Sequence, residues 1–158
     1  MKMPIRLAML AALLAPLPVA AQDAGPRYVM RHLDTPRGER DPDLLPRGAA
    51  RARALVTWFE GKPIAAVFAT PYRRTQQTAA EIAAARGLTV QSYDPGDIAG
   101  LIARVKAVPG PVLIVGHSNT VPDIVAALGG KRPGELAHED FGDVWTVTAG
   151  GAVRERLE

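Results

Sequence analysis

The feature that most constrains the fold is an apolar segment without polar alternation, PVLIVG at residues 111–116. A strand of this composition is buried on both faces, which is typical of the centre of a parallel sheet. The dipeptide at residues 109–110, Pro-Gly, ends the helical pattern that comes before it. Because parallel strands need crossover connections, the rest of the chain has to supply helices between further strands.

The remainder of the chain alternates short apolar strands with helical patterns. Further strands are predicted at residues 28–31, 64–70 and 88–93, and helical patterns begin at Pro46, Arg73, Asp97 and Thr120. The C-terminal segment, residues 143–158, indicates a hairpin that turns at residues 149–151. This order predicts an α/β fold, a three-layer α/β/α sandwich with a largely parallel central sheet.

The start of the chain has the pattern of an export signal. Lys2 and Arg6 form a basic start, and an apolar run follows at residues 7–17. Val19 and Ala21 stand where a signal peptidase requires small residues, which predicts cleavage after Ala21.

A retained membrane anchor or a first helix of the domain are the alternatives for this segment. Pro16 and Pro18 oppose a continuing helix, and the run is shorter than the roughly 20 apolar residues that span a bilayer. We therefore expect a signal peptide at residues 1–21 and one domain at residues 22–158. The mature protein is expected to be exported, to the periplasm or outside the cell.

Composition and charge exclude several classes of function. The chain has no cysteine, which excludes disulfides, a thiol nucleophile, a thiolate metal site and a lipid-bearing cysteine after the leader. Its formal net charge is only +3, and its arginines are scattered rather than aligned on one face. Neither nucleic-acid binding nor stable membrane association of the mature form is therefore expected.

Charged and titratable side chains follow three of the predicted strands. Arg31 and His32 end the first strand, Arg74 follows the second, and His117 follows the central one. In open α/β sheets ligands bind at the carboxyl ends of strands, so these side chains should converge. Arginine suits phosphate oxygens, and a neutral histidine can attack phosphorus. The pattern favours an anion site over the alternative of isolated surface or capping histidines.

These segments are similar to motifs of the histidine phosphatase superfamily, which includes phosphoglycerate mutases, histidine acid phosphatases and small phosphohistidine phosphatases. RHLDT at residues 31–35 resembles its Arg-His-Gly-x-Thr motif, and TPYRRTQQTA at residues 70–79 resembles its second motif. Gly-His-Ser at residues 116–118 resembles the third, and LLPRGAARA at residues 44–52 resembles a helix motif. The four occur in the family's order, which implies a phosphoglycerate mutase-like fold.

The resemblance implies a metal-independent phosphatase that needs no cofactor. His32 would be the nucleophile and form a phosphohistidine intermediate that water hydrolyses. Arg31, Arg74 and His117 would hold the three non-bridging oxygens and stabilise charge in the transition state. The substrate would be a phosphate monoester or phosphoramidate, carried by a small compound or by a phosphoprotein.

Two positions depart from the family motifs. Leu33 replaces the usual glycine, and its Cβ is expected to narrow the approach to His32. Relatives place a proton-donating glutamate after the third strand or an aspartate directly after the second histidine, where this chain has Ser118. Asp94 is the candidate proton donor, although DPGD at residues 94–97 reads equally well as a turn and helix cap.

Other residues near the predicted strand ends have more than one interpretation. Thr35 and Ser118 are predicted to bind substrate, and Asn119 either lines the pocket or caps the next helix. Asp34 could orient the nucleophile's ring but is expected to be a solvated loop carboxylate. His138, among acidic residues, is expected in a solvated loop without a metal.

Two other functions fit parts of the sequence. One is a weakly active or inactive member of the same fold that binds phosphorylated ligands, which the change at Leu33 and the uncertain acid leave open. The other is a serine hydrolase in which Ser118 would be the nucleophile of VGHSNT. Thr120 stands where the nucleophile elbow requires its second glycine, which argues against this alternative.

The leader gives a first testable prediction. When the full chain is expressed in a Gram-negative host, mass spectrometry of the protein from the cell envelope should find Gln22 as the first residue. Ala21→Arg should block cleavage and leave the leader attached. Recovery of the wild-type protein with its N-terminus intact would contradict the predicted signal peptide.

Overall fold

The computed structural model describes residues 24–158. These residues form six strands and four helices, in the order β1 (Arg27–Arg31), α1 (Pro46–Trp58), β2 (Ala66–Ala69), α2 (Arg73–Ala85), β3 (Val90–Ser92), α3 (Ile98–Lys106), β4 (Val112–Gly116), α4 (Val121–Ala127), β5 (Asp143–Thr148) and β6 (Gly151–Arg156). The predicted signal peptide at residues 1–21 and the domain boundary at residue 22 lie outside the described residues. Within residues 24–158 no helix has the length and apolar character that crossing a membrane requires.

The strands form one sheet in the order β3-β2-β4-β1-β5-β6. The first four strands are parallel to one another, β5 is antiparallel to β1, and β6 is antiparallel to β5. All five residues of β4 are buried, and the strand lies between β2 and β1. The prediction of a central parallel strand with both faces covered is therefore confirmed, as is the C-terminal hairpin.

Helices cover both faces of the sheet. Met30 and Leu113 belong to a buried cluster that contains side chains of α1 and α2, whereas Val29 and Ile114 belong to a second cluster with α3 and α4. Successive residues of a strand point to opposite faces, so β1 and β4 contribute to both clusters. This arrangement confirms the predicted three-layer sandwich.

Helix α1 packs closely against the segment that follows β1. Gly48 of α1 is buried, and a Cβ there would lie 2.6 Å from the carbonyl oxygen of Asp34 and 2.9 Å from its nitrogen. Only a residue without a side chain allows the helix to approach that backbone so closely. The backbone of Asp34 is two residues beyond His32, so this contact fixes the path of the chain beside the predicted nucleophile.

Asp34 is buried, and the expectation of a solvated loop carboxylate is wrong. Two arginines of α1 bind it: Arg47 Nε lies 2.7 Å from Oδ1 and Arg51 Nη1 lies 2.9 Å from Oδ2. Burial by itself raises the pKa of Asp34, but the hydrogen bonds from Arg47 and Arg51 outweigh it and hold the pKa below its usual value. A buried carboxylate is tolerated here because it is paired with two charged donors.

Gly48→Ala is expected to lower the free energy of unfolding by about 1–3 kcal/mol, because the new Cβ collides with backbone atoms that cannot rotate away. Urea denaturation measures this change. Gly134→Ala is a matched control, since a Cβ at that position meets nothing within 4 Å. Equal stability of the two variants would show that the contact between α1 and Asp34 is not as close as described.

Candidate active site

The predicted nucleophile and the second histidine follow neighbouring parallel strands that end in register. Arg31 of β1 is opposite Gly116 of β4, and the next backbone N–H, that of His32, donates to Gly116 O over 2.8 Å. His32 and His117 therefore leave the sheet side by side, and their ring centroids are 5.6 Å apart. This separation allows both rings to contact one tetrahedral anion.

The ring of His32 is buried and held in one orientation. Its Nδ1 lies 2.9 Å from Leu33 O, and because a carbonyl oxygen only accepts, Nδ1 carries the proton. The other ring nitrogen, Nε2, is then left with a free electron pair. Burial, together with the charges of Arg31 and Arg74, lowers the pKa of His32 to about 3, although the hydrogen bond to Leu33 O acts in the opposite direction. The ring is therefore neutral at physiological pH.

Leu33 does not narrow the approach to His32, contrary to expectation. Its side chain is fully buried in the core cluster of α1 and α2, on the side of the sheet covered by those helices. Its backbone N–H donates to Thr78 Oγ1 over 3.0 Å, while its carbonyl oxygen accepts from His32. Leu33, which stands where the family motif has glycine, thus anchors the loop of the predicted nucleophile through its backbone. Its side chain leaves the cavity beside the His32 ring open.

His117 is oriented by a chain of hydroxyl groups. Its Nε2 lies 2.9 Å from Thr70 Oγ1, which lies 2.8 Å from Thr75 Oγ1. The Thr75 hydroxyl can then donate to Tyr72 O, 2.8 Å away. Because Arg74 Nη2 donates to His117 Nδ1 over 3.4 Å, the ring proton resides on Nε2. Burial lowers the pKa of His117 to about 4, and Arg74 and Arg31 act in the same direction.

Arg74 extends along His117 towards the loop after β1. Its Nη1 donates to Arg40 O over 3.1 Å and lies 3.3 Å from the carboxylate of Asp41. The ring of Tyr72 packs edge-on against His117 at 5.3 Å and beneath the Arg74 guanidinium at 4.6 Å. The guanidinium of Arg74 is thus held beside His117 from several directions.

Arg31 has one buried donor without a partner. Its Nη1 donates to the carbonyl oxygens of Ala137, His138 and Asp140 at 2.7, 3.2 and 3.4 Å, and its Cζ lies 4.2 Å from the centre of the Phe141 ring. Its Nε is buried and has no hydrogen-bond partner among residues 24–158. An unpaired buried donor on a cation is costly, which points to an anionic ligand that completes it.

A cavity of about 180 Å³ opens beside His32, and the side chains of Arg31, Thr35, Glu39, Arg74 and His138 are among those that line it. His117 is not among the lining residues, although its ring lies 5.6 Å from that of His32. Thr35, predicted to bind substrate, is thus brought to the same cavity as the predicted nucleophile. The two guanidinium groups can bind the oxygens of an oxyanion. The neutral imidazole of His32 can then attack the electrophilic central atom of that anion through its unprotonated nitrogen.

Three predicted residues lie elsewhere. Ser118 and Asn119 line a groove together with Glu135, outside the cavity of His32. Asp94 lines another groove, and its Oδ1 accepts the backbone N–H of Gly96 over 2.8 Å, the geometry of the turn that was the alternative interpretation. Their predicted roles find no support in this placement.

Sequence reasoning missed the segment before β5. His138 lies in a loop between exposed residues, as expected, but its side chain is half-buried and lines the cavity. The ring of Phe141 lies 5.8 Å from that of His32 and 5.4 Å from that of His138. The available signal was the hairpin itself: a strand that pairs antiparallel with β1 begins at the edge where β1 ends, so the loop before it reaches the site.

The described residues offer cations and imidazoles rather than a metal cage. In the part of the chain that the structure covers, no group of three or more histidine, aspartate or glutamate side chains is arranged to hold a metal ion. The metal-independence implied by the sequence stays a prediction. Chemically, the site can bind a phosphate-like anion and attack it with a nitrogen nucleophile.

The sequence matches a known family. The family model of the histidine phosphatase superfamily (branch 1) matches residues 28–95, which span both β1 with its Arg-His pair and α2 with Arg74. No curated protein matches the chain.

Solved structures share the fold over most of the chain. The protein histidine phosphatase SixA, complexed with tungstate, is 23% identical with a TM-score of 0.63, and the match covers 82% of this chain and 94% of that one. The alpha-ribazole phosphatase from Shigella flexneri is 17% identical with a TM-score of 0.62, covering 84% and 95%. The mycobacterial glucosyl-3-phosphoglycerate phosphatase Rv2419c is 15% identical with a TM-score of 0.61, covering 77% and 89%.

At these identities the structural likeness establishes the fold. The family model covers the half of the domain that contains the first two motifs. The resemblance to the histidine phosphatase superfamily that the motifs indicated is confirmed by the family model over residues 28–95 and by the shared fold.

Proposed function

We propose that this protein is a metal-independent phosphatase that uses His32 as its nucleophile. The observation that carries the proposal is the state of His32: a neutral ring, fixed through Nδ1 by Leu33 O, whose Nε2 is unpaired and which lines a cavity with two guanidinium groups. A neutral imidazole is nucleophilic, and the cations supply the charge that phosphoryl transfer needs. In keeping with the leader, we place this activity outside the cytoplasm.

The reaction has two steps. Nε2 of His32 forms a bond to phosphorus while the bond from phosphorus to the leaving group breaks, and the leaving group departs with the electron pair. Water then attacks the phosphohistidine, the bond from phosphorus to nitrogen breaks, and the electron pair returns to Nε2. The fixed Nδ1–H keeps the ring in the tautomer that both steps require.

The cations would hold the non-bridging oxygens in both steps. The unpaired Nε of Arg31 can donate to one oxygen, and Arg74 can turn from Asp41 to donate to another. A bound dianion raises the pKa of His117, so that the protonated ring can donate from Nδ1 while Nε2–H stays on Thr70. These donors act where charge accumulates in the transition state.

The substrate class follows from the size of the cavity and from the neighbours. A cavity of about 180 Å³ accommodates the phosphoryl group and leaves most of the substrate outside. The SixA structure holds tungstate, a tetrahedral oxyanion, and that protein is named a protein histidine phosphatase. Both observations support a phosphate monoester or phosphoramidate as substrate, on a small molecule or on a phosphoprotein.

A serine hydrolase is the weaker alternative. Ser118 lies in a different groove, and both ring nitrogens of His117 are engaged by Thr70 and Arg74. The residue that follows His117 thus has no free imidazole there to act as its general base.

Steady-state hydrolysis of p-nitrophenyl phosphate tests the proposal. His32→Ala should lower kcat/KM by about 10⁴-fold or more, because the nucleophile is lost. Arg74→Ala should lower it by about 10²–10³-fold, the usual effect of removing one transition-state donor. Arg53→Ala, which removes an exposed arginine of α1, is the matched control and should leave kcat/KM unchanged.

Vanadate should inhibit the wild-type enzyme because it adopts the geometry of phosphoryl transfer, and EDTA should not. Turnover that survives in His32→Ala would overturn the proposed function. Binding of phosphate without any turnover by the wild type would favour the alternative of a phospho-ligand-binding protein.

The state of His32 gives a prediction of its own. Since the pKa of His32 is lowered to about 3, its ring should remain the neutral Nδ1–H tautomer from pH 8 down to about pH 5. Nitrogen NMR of the labelled imidazole measures this directly, with His32→Ala providing the assignment. Protonation of this ring at the ordinary histidine value near 6.5 would contradict the burial and charge described for the site.

A further inference from the structure

We propose that His138 is the general acid that protonates the leaving group, a role that neither of the two positions suggested by the family motifs fills at this cavity. The proposal rests on the proposed function, because it assigns a residue to the first step of that reaction. Its basis is that His138 lines the cavity of His32 and is held there by Arg31.

The two carboxylate positions expected from the motifs do not serve the cavity. The residue after His117 is Ser118, which lies in a separate groove. Asp94, after β3, is exposed, and its carboxylate accepts the Gly96 N–H of its own turn. A leaving group bound beside His32 therefore needs a proton from some other side chain.

His138 meets the geometric requirement for that donor. The centroid of its ring lies 5.4 Å from that of the Phe141 ring, and the centroid of the His32 ring lies 5.8 Å from the same Phe141 ring. The distance between the two imidazoles is therefore at most the sum of these separations, with the cavity between them. A leaving-group atom on the phosphorus would lie on the side of the cavity opposite Nε2 of His32, since attack is in line.

The position of His138 is fixed at both ends of its short segment. Its carbonyl oxygen accepts from Arg31 Nη1, the same guanidinium whose Nε is free for the phosphoryl group. The next residue, Glu139, forms an ion pair with Arg37 in the loop after β1. The backbone of this segment is thus held by Arg31 and by the loop after β1, while the imidazole of His138 packs on Phe141.

The other acidic side chains near the cavity are less suited. Asp41 Oδ1 accepts the backbone N–H of Arg73 over 2.9 Å and lies 3.3 Å from Arg74 Nη1, so this carboxylate is already engaged as an acceptor. Glu39 lines the cavity but is exposed, and no hydrogen bond or ion pair fixes its carboxylate within the described part of the chain. Histidine is also the side chain best able to give and take a proton near neutral pH.

The proton transfers balance over one turnover. As the bond from phosphorus to the leaving oxygen breaks, that oxygen takes the electron pair and receives a proton from the His138 imidazolium. In the second step the neutral His138 accepts a proton from the attacking water, whose oxygen forms the new bond to phosphorus. The electron pair of the broken bond returns to His32 Nε2, and both histidines are restored.

A comparison of two substrates tests the proposal. p-Nitrophenolate leaves without a proton, whereas ethoxide cannot, so a general acid matters in the first step for ethyl phosphate only. Because kcat/KM reports that first step, His138→Gln should lower kcat/KM for ethyl phosphate by about 10²-fold or more and leave kcat/KM for p-nitrophenyl phosphate within about threefold.

Two further measurements keep the result interpretable. Thermal unfolding of His138→Gln establishes that the variant is folded, and Glu39→Gln is assayed on both substrates as the rival donor. An equal loss on both substrates would assign His138 a structural role and overturn the proposal. A selective loss of ethyl phosphate turnover in Glu39→Gln, with none in His138→Gln, would overturn it in favour of Glu39.

Failure of this proposal is distinguishable from failure of the proposed function. If turnover of p-nitrophenyl phosphate requires His32 but His138→Gln affects neither substrate, the phosphatase stands and its acid is not His138. If turnover survives in His32→Ala, both proposals fall.

Discussion

The site depends on the in-register pairing of β1 with β4. The two strands are more than eighty residues apart in the sequence, yet both end at the same level of the sheet, where Arg31 is opposite Gly116. A further hydrogen bond, from His32 N–H to Gly116 O, extends the pairing by one residue beyond the end of β1. Because β4 is buried on both faces, a shift in its register would move each of its side chains out of the cluster in which it packs. The packing of β4 thus fixes the separation of the two imidazoles at the strand ends.

Around this pair, charge is arranged so that cations are anchored and imidazoles stay neutral. Arg31 and Arg74 each donate hydrogen bonds from Nη1 to carbonyl oxygens of neighbouring loops. These bonds hold the two cations close together despite their mutual repulsion. Their charge, added to burial, lowers the pKa of both His32 and His117. A dianion that binds here would relieve the repulsion and pair with the free donors, so the cations are organised in advance for such a ligand.

The sequence allowed prediction of the layers, the central strand and the convergence of His32, His117 and Arg74, because hydrophobic periodicity and strand ends are local signals. It did not allow prediction of which edge of the sheet receives the loop of His138, since that depends on the pairing partner of β5. The burial of Asp34 was missed for a similar reason: its partners, Arg47 and Arg51, lie on a helix that only the fold brings to it. The position of the His138 loop and the burial of Asp34 both depend on contacts between segments distant in the sequence. A single sequence gives little information about such contacts.

Leu33 differs from the glycine of the family motif in its side chain, yet its backbone still orients the ring of His32. The side chain of Leu33 is buried in the core beneath α1 and α2, while its carbonyl oxygen accepts the hydrogen bond from Nδ1 of His32. Side chain and backbone of this residue therefore have separate roles. Restoring the customary glycine would therefore remove apolar packing, at a cost of about 2–5 kcal/mol if it resembles other truncations of buried leucines, and would leave the substrate's surroundings untouched. In this chain, the side chain at position 33 fills core volume, and the chemistry of the site depends on the backbone of the same residue.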